Sequence, residues 1–326
     1  MAAKIVSIIN LKGGVGKSTL AMILGEFLVF RYGKKILLID MDAQGNLSYC
    51  MVPSSEIQTQ ERNSRTIYHL IRAAMDGTTV DINQFVTHPP FIVSNIARSA
   101  AMNYPGAIDM IVSIPAVAEL DEYLLELWEK KQPMPTGLRM SLAQALELAR
   151  DKYDYILIDC PPGLSLFSSA SLMASDYYIS PIIPEPLSLT GVDLVQRRAR
   201  ELSERFGHRL QFKGVVLNIV KHYRNTHQRI ADEIYSIYQS RYEPFQFWLP
   251  DNERLRRVGE FDPDLPGTWA GGMGAKFATL TEKYSLSYRL TNPAAGLLNR
   301  RDVEGPNYRL EDRICNLVEE FQQRCQ

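Results

Sequence analysis

Two lysines in one glycine-rich turn carry the most chemistry in this chain. Residues 11–19 read LKGGVGKST and follow the apolar run IVSII. Such a turn after a strand presents consecutive backbone N–H groups to an anion. The helix that follows adds the positive end of its dipole at the same place. Gly13, Gly14, Val15 and Gly16 would form the cradle, with Lys17 placed to reach β- and γ-phosphates and Ser18 to ligate Mg²⁺. The common pattern G-x-x-x-x-G-K-[ST] fails here, because its first position is Leu11. What stands instead is K-G-G-x-G-K-[ST], with Lys12 as a second cation.

Two acidic segments complete a nucleotide site. LLIDMDAQGN (37–46) ends an apolar run with Asp40 and Asp42, and strand C-termini are where α/β proteins place ligands. YDYILIDCPPG (153–163) ends a second run in Asp159, then Pro-Pro-Gly. A carboxylate there can hold Mg²⁺ through a water, and the Gly163 N–H can approach a γ-phosphate.

The elements that must position these groups alternate. Strand patterns at 4–10, 34–40, 108–115, 153–159, 177–183 and 212–220 are separated by helical patterns at 17–31, 64–75, 117–131, 138–151 and 189–207. This predicts an α/β fold: a mostly parallel twisted sheet with helices on both faces. A last helix at about 308–324 has an apolar stripe of Leu310, Ile314, Leu317 and Phe321. Residues 88–107 and 262–306, rich in Gly, Pro, Asn and Ser, break the alternation and read as insertions on a single domain spanning 1–326.

Composition sets limits. With 326 residues, 45% apolar and 22% charged, the chain can bury a large core. A net charge of −1 gives no global attraction to nucleic acid, so any such binding needs a local patch. Cys50, Cys160, Cys315 and Cys325 are scattered and read as reduced thiols. No signal peptide is visible, and no apolar run reaches the roughly 18 residues of a membrane span. The expectation is a cytoplasmic protein.

The segments K-G-G-V-G-K-S-T, D-M-D-A-Q-G-N and D-C-P-P-G together resemble the signatures of deviant Walker ATPases of the ParA/MinD class, and lean to its ParA (Soj-like) branch. The likeness continues through SASLMASDYYISPIIPEPLSLTGVD (168–193) and GVVLNIV, and fades in the insertions. It implies a P-loop NTPase fold, ATP and Mg²⁺ as cofactors, and an ATPase that positions a plasmid, chromosome region or other cargo. Lys12 would reach across a homodimer to the partner's phosphates. Lys17, Ser18 and Thr19 would hold the β/γ-phosphate, Mg²⁺ and the α-phosphate. Asp42 would polarise the attacking water, Asp40 and Asp159 would support the metal, and Asn218 and Pro250 would lie by the adenine. A ParB-like or adaptor protein would trigger turnover.

Arginines supply the candidate DNA surface. On the helix at 189–207, Val192, Val195, Ala199, Leu202 and Phe206 form the apolar stripe, while Arg197 and Arg200 fall off it. Glu201 and Glu204 share that polar side, so an ordinary solvated face competes with a binding role. KHYRNTHQR (221–229) holds Lys221, Arg224 and Arg229 with no acid, and ERLRR (253–257) adds Arg254, Arg256 and Arg257. The family resemblance implies non-specific DNA binding at Arg200 and Arg224, and hence nucleoid association.

Three other readings compete. A MinD-like membrane-positioning protein would need a basic C-terminal helix, but this one carries Glu311, Asp312, Glu319 and Glu320, so its stripe reads as core. An iron–sulfur electron carrier of related fold would need paired cysteines, and only Cys160 has a suitable context. A metabolic amidoligase or kinase would need a small-substrate pocket, which the insertions could build.

Overall fold

The computed structural model describes residues 2–76, 80–89, 106–120, 122–123, 137–221, 223–252, 255 and 310–326. Most of the two expected insertions, and Arg254, Arg256 and Arg257, lie outside these. Six strands run in the order β3-β2-β4-β1-β5-β6, and every neighbouring pair is parallel. They are β1 Lys4–Ile8, β2 Lys35–Asp40, β3 Ala107–Ile111, β4 Tyr155–Asp159, β5 Tyr177–Ile182 and β6 Gln211–Leu217. The helices are α1 Lys17–Tyr32, α2 Asn46–Met51, α3 Ser54–Arg62, α4 Ile67–Met75, α5 Gly137–Glu147, α6 Leu166–Ala174, α7 Ser188–Phe206, α8 Asn225–Ser236, α9 Gln239–Tyr242 and α10 Leu310–Arg324. The sheet and all six expected strands are as the sequence predicts. Of the helix expected across 117–131, residues 117–120 and 122–123 are helical and the rest lies outside the described residues.

Burial on both faces explains the unbroken apolar strands. Val6, Ile8, Ile36, Leu38, Leu157 and Ile179 point into one core, against α1 and α10. Their chain neighbours Ile5, Leu37, Ile39, Ile156, Ile158 and Tyr178 point into the other, which takes residues of α4, α5, α6 and α7. The period-two alternation of a strand thus feeds two cores at once. Since the strands are parallel, the C-terminal ends of β1, β2, β4, β5 and β6 meet along one edge, which gathers the polar segments that follow each strand.

α1 is apolar nearly all round, with Leu20, Ala21, Met22, Ile23, Leu24, Phe27 and Leu28 buried. It seats tightly on the sheet at Gly25, where a Cβ would come within 3.1 Å of Leu38 and 3.2 Å of Ile108. It ends at Gly33, whose φ of 61° lets its N–H reach the Leu28 and Val29 carbonyls.

The C-terminal helix settles one competing reading. Leu310, Ile314, Leu317 and Phe321 are buried in the α1-side core, with Phe321 tilted against Tyr155 at 5.6 Å. Arg324 pins the helix end to the sheet edge. Its guanidinium donates to the Lys213, Glu243 and Pro244 carbonyls at 2.6–2.9 Å and stacks over Phe245. An apolar stripe so occupied is not offered to a membrane. No helix among the described residues is long and apolar enough to cross one.

One expectation needs correction. Phe206 is not part of the α7 stripe: it is 38% exposed, with Arg205 lying over its ring, because α7 ends there at Gly207 beyond the reach of the core. The basic segment at 221–229, without an acid in sequence, meets acids in space. Its second half is the first turns of α8, Lys221 pairs with Asp251 at 3.5 Å, and Arg229 lies 4.0 Å from Glu233.

Phe321→Ala should lower stability by about 3–5 kcal/mol, the usual result of emptying a packed aromatic site. Chemical denaturation measures it. Nucleotide affinity should stay near wild type, since Phe321 sits behind α1 and away from the strand C-termini.

Candidate nucleotide site

The glycine-rich turn links β1 to α1, and its backbone is shaped for an anion. Gly14 and Gly16 adopt φ of 72° and 82°, which an L side chain rarely takes. At Gly13 and Gly14 an added Cβ would meet nothing within 4 Å, so the cradle has open space beside it. α1 has no side-chain cap and no acid in its first turn. Its first N–H groups and dipole are therefore left for a ligand. Lys17 is 7% exposed and folds back over the turn, its Nζ 3.4 Å from the Lys12 carbonyl. Ser18 and Thr19 stand half-buried beside it.

Two buried asparagines hold the turn from outside. Asn10 donates to the Pro181 carbonyl at 2.8 Å and accepts the Lys12 N–H at 3.0 Å, tying the loop to the end of β5. Asn218 donates to the Val15 carbonyl at 2.8 Å and reaches Gly16 at 3.5 Å. A side chain at Gly16 would collide with the Asn218 amide. Ile219, next in sequence, is held at φ 53°, a strained setting for a β-branched residue. Pro250 bridges to Val220 in the same corner. The Asn218 amide is thus engaged on the loop carbonyls, and Pro250 sits in the neighbouring corner. Asn10 was missed; a lone polar residue closing the strand IVSIIN was the available signal.

The carboxylates divide the work. Asp40 and Asp159 are directly paired positions on neighbouring strands, and both are fully buried. Asp40 Oδ1 accepts the Asp42 N–H, and Oδ2 accepts the Ser48 N–H and hydroxyl at 2.9 and 2.8 Å. Its role in the fold is to shape the turn carrying Asp42, and Ser48 is a second residue that sequence reasoning missed. Asp42 accepts the Gln44 N–H and stands half-buried at the rim. Asp159 differs: neither oxygen has a hydrogen-bond partner among the described residues, although Ser18 and Lys17 lie close enough to favour its charged form. A buried carboxylate with both oxygens unpaired beside a serine hydroxyl fits a hard divalent cation. The donor set suits Mg²⁺, which Ser18 and Asp159 would hold. Gly163, at φ 90° with open space at its Cβ position, follows in the same turn.

Burial pushes Asp40 up to about 6, opposed by its bonds from Ser48 and Asp42. Burial and then the Asp40 charge raise Asp159 well above the usual carboxylate range. Cys160, sealed behind it, is pushed up to about 12 by burial and is no nucleophile.

Lys12 is the outlier. Its ammonium does not point into its own cradle but pairs with Glu185 Oε2 at 2.7 Å, and its side chain is 53% exposed. Glu185 was not among the expected site residues. Arg197, Arg200 and Arg224 are exposed and form no ion pair with any described residue, whereas Arg198 is taken up by Ser169 and Glu201.

The chain is similar to known proteins over most of its length. A family model described as an AAA domain matches residues 3–212. The chain is 28% identical over 254 residues to the sporulation initiation inhibitor protein Soj of Bacillus subtilis, covering 77% of this chain and 86% of that one. It is 28% identical over 258 residues to the chromosome partitioning protein ParA of Caulobacter vibrioides, covering 79% and 84%. Among solved structures, the ATP complex of a McdA variant from Cyanothece aligns with a TM-score of 0.64 at 18% identity, covering 98% of this chain and 97% of that one. At that identity the likeness shows the fold.

The buried pair makes a pH prediction for metal-free, nucleotide-free protein. Groups with raised folded pKa bind protons in the fold that the unfolded chain, titrating near 4, does not. Stability from Asp40 and Asp159 therefore rises as pH falls from about 7 toward 5. His69 and His227, lowered by burial, act in the opposite sense below about 6.5. Comparing melting curves of wild type and Asp159→Asn cancels the histidines. The wild type should gain on the variant as pH drops, and Mg²⁺ with ATP should erase the difference in slope.

Proposed function

Because the chain belongs to the ParA/MinD family of deviant Walker ATPases, we propose that it hydrolyses ATP to segregate or position a large cargo. It works as an ATP-sandwich homodimer that binds DNA without reading sequence, and a ParB-like or adaptor partner releases it by triggering hydrolysis. It acts in the cytoplasm on the nucleoid. The single observation that carries this reading is the placement of Lys12. A cation in the phosphate loop that turns out of its own cradle, half exposed at the rim, is positioned to serve a second subunit's nucleotide. The name of the Caulobacter relative, a chromosome partitioning protein, supports the cargo class.

The residues divide the reaction as follows. The loop N–H groups of Gly13 to Thr19 and the Lys17 ammonium hold the phosphates, and Ser18 and Asp159 would hold Mg²⁺. Such a cation would neutralise negative charge on the phosphates. Asp42, fixed through Asp40 and Ser48, accepts a hydrogen bond from the attacking water and orients it in line with the γ-phosphorus. The Lys12 ammonium of the second subunit stabilises negative charge developing on the leaving β-phosphate oxygen. The products are ADP and phosphate. Asn218 and Pro250 would lie by the adenine.

Charge on this chain nearly cancels overall, so DNA affinity must come from a patch doubled by dimerisation. Arg197 and Arg200 on α7 and Arg224 at the head of α8 supply it. Each neutralised phosphate releases counterions, so binding should fall steeply with salt.

Asp42→Ala should bind ATP and accumulate as a dimer on size exclusion, with turnover reduced about a hundredfold or more. A monomer under ATP and Mg²⁺ would refute the sandwich. Anisotropy titrations with two unrelated duplexes should show equal, ATP-dependent binding. Arg200→Glu should weaken it at least tenfold while ATP-driven dimerisation persists. Equal binding with ATP and ADP, or none with either, would favour a metabolic ATPase of the same fold.

A further inference from the structure

Glu185 lies between the two parts of the molecule that the proposed function needs to connect. It follows β5 in the turn that leads into α7, where the Ser188 N–H bonds back to its carbonyl. On one side it accepts the Lys12 ammonium, and this bond holds its carboxyl below the usual range. His227 on α8 and Lys221 just before it also lie within Coulombic reach of its carboxylate.

His227 is in an unusual state. It is 2% exposed, and its Nδ1 accepts the Lys221 N–H at 3.2 Å. The neutral ring therefore carries its proton on Nε2, and Nε2 has no hydrogen-bond partner among the described residues. Buried donors are rarely left unpaired, because nothing replaces the water they lose. Asp251 is also close but pairs with Lys221, and Arg224 opposes any positive charge on the ring. Glu185 is thus the carboxylate near His227 that has a competing claim on it from the nucleotide site.

We propose that Glu185 is a positioning residue with two alternative partners. In the single copy it holds Lys12 off the phosphate loop. When Lys12 leaves for a second copy's nucleotide, the freed carboxylate turns to the His227 Nε2–H and draws in the head of α8, which Arg224 flanks. The proposal rests on the reading of Lys12 given above. It makes the Lys12–Glu185 pair a weak brake on assembly and links its release to the DNA-facing arm. The pair is partly exposed, so its strength is modest, about two- to fivefold in an equilibrium. Two pairs break per dimer, which squares the factor.

Three measurements test this on the full chain. The Glu185 carboxyl is titrated by carbon-13 NMR without nucleotide, and in Lys12→Gln its midpoint should rise toward the ordinary glutamate value. An unchanged midpoint overturns the resting pair, whatever the oligomeric state. Next, in an Asp42→Ala background with ATP, sedimentation should give Glu185→Gln a dimer dissociation constant about four- to twenty-fivefold smaller. The same substitution added to Lys12→Gln should change nothing. A weaker or unchanged dimer overturns the brake. Absence of any ATP dimer before Glu185 is altered defeats the sandwich reading instead. Finally, at matched dimer concentration, Glu185→Gln should bind duplex DNA several-fold more weakly, and wild-type affinity there overturns the second partner.

Discussion

Everything at this site answers to two buried carboxylates set side by side. Asp40 and Asp159 occupy paired positions at the ends of β2 and β4, where burial resists the ionisation of both and the Asp40 charge adds to it for Asp159. A protein interior tolerates such a pair only with compensating charge or donors. Asp40 is compensated from within, by the N–H groups of Asp42 and Ser48 and the Ser48 hydroxyl. Among the described residues, Asp159 has the nearby Lys17 and Ser18 but no hydrogen-bond partner. The asymmetry assigns the roles. One carboxylate shapes the turn that presents Asp42, and the other stays short of partners in the position where a divalent cation and a nucleotide would supply them. Ligand binding then relieves a cost that the fold already carries.

The cradle in turn depends on buried neighbours outside the loop. A loop built of Gly13, Gly14 and Gly16 has little conformational preference of its own. Asn10 fixes its entrance to β5, and Asn218 fixes its middle to the corner after β6. The strained φ of Ile219 is tolerated because its neighbours hold it on both sides: the Asn218 N–H bonds to the Ile182 carbonyl and the Val220 N–H to the Leu249 carbonyl. A strand order that places β1 between β4 and β5 is what brings these anchors together.

The parts of this arrangement legible in the sequence are those written in local pattern. Fully apolar runs such as YILID gave a two-sided parallel sheet, and KGGVGKST gave a loop, because each signal sits within a few residues. The missed residues are polar groups whose role exists only across the fold. Ser48 lies eight positions from Asp40, Asn10 meets Pro181, and Lys12 meets Glu185 from the far side of the sequence. The segment 221–229 is of the same kind. It holds no acid of its own, yet Asp251 and Glu233 meet its Lys221 and Arg229 in the fold. Phe206 kept helical spacing but ran past the end of the sheet's cover. Periodicity states which side a residue faces, and says nothing of whether the core extends that far.

Near-neutral net charge makes the division between cis and trans contacts physically sensible. A single copy has Lys17 in its cradle and Lys12 on Glu185, so it can hold nucleotide without concentrating two free cations at one point. Among its described residues only a few arginines are exposed without an ion pair, a weak grip on a polyanion. In the proposed dimer both quantities would change together: each cradle would gain a second lysine, and the exposed arginines of α7 and α8 would be duplicated. Affinity for phosphate backbones grows steeply with the number of contacts, because each contact releases counterions independently. A patch that is weak in one copy can therefore become effective in two without any new residue being exposed. The same ATP phosphates that hold the copies together would set the size of the DNA-facing surface. Hydrolysis would dissolve that surface by removing the charge that Lys12 crossed to meet.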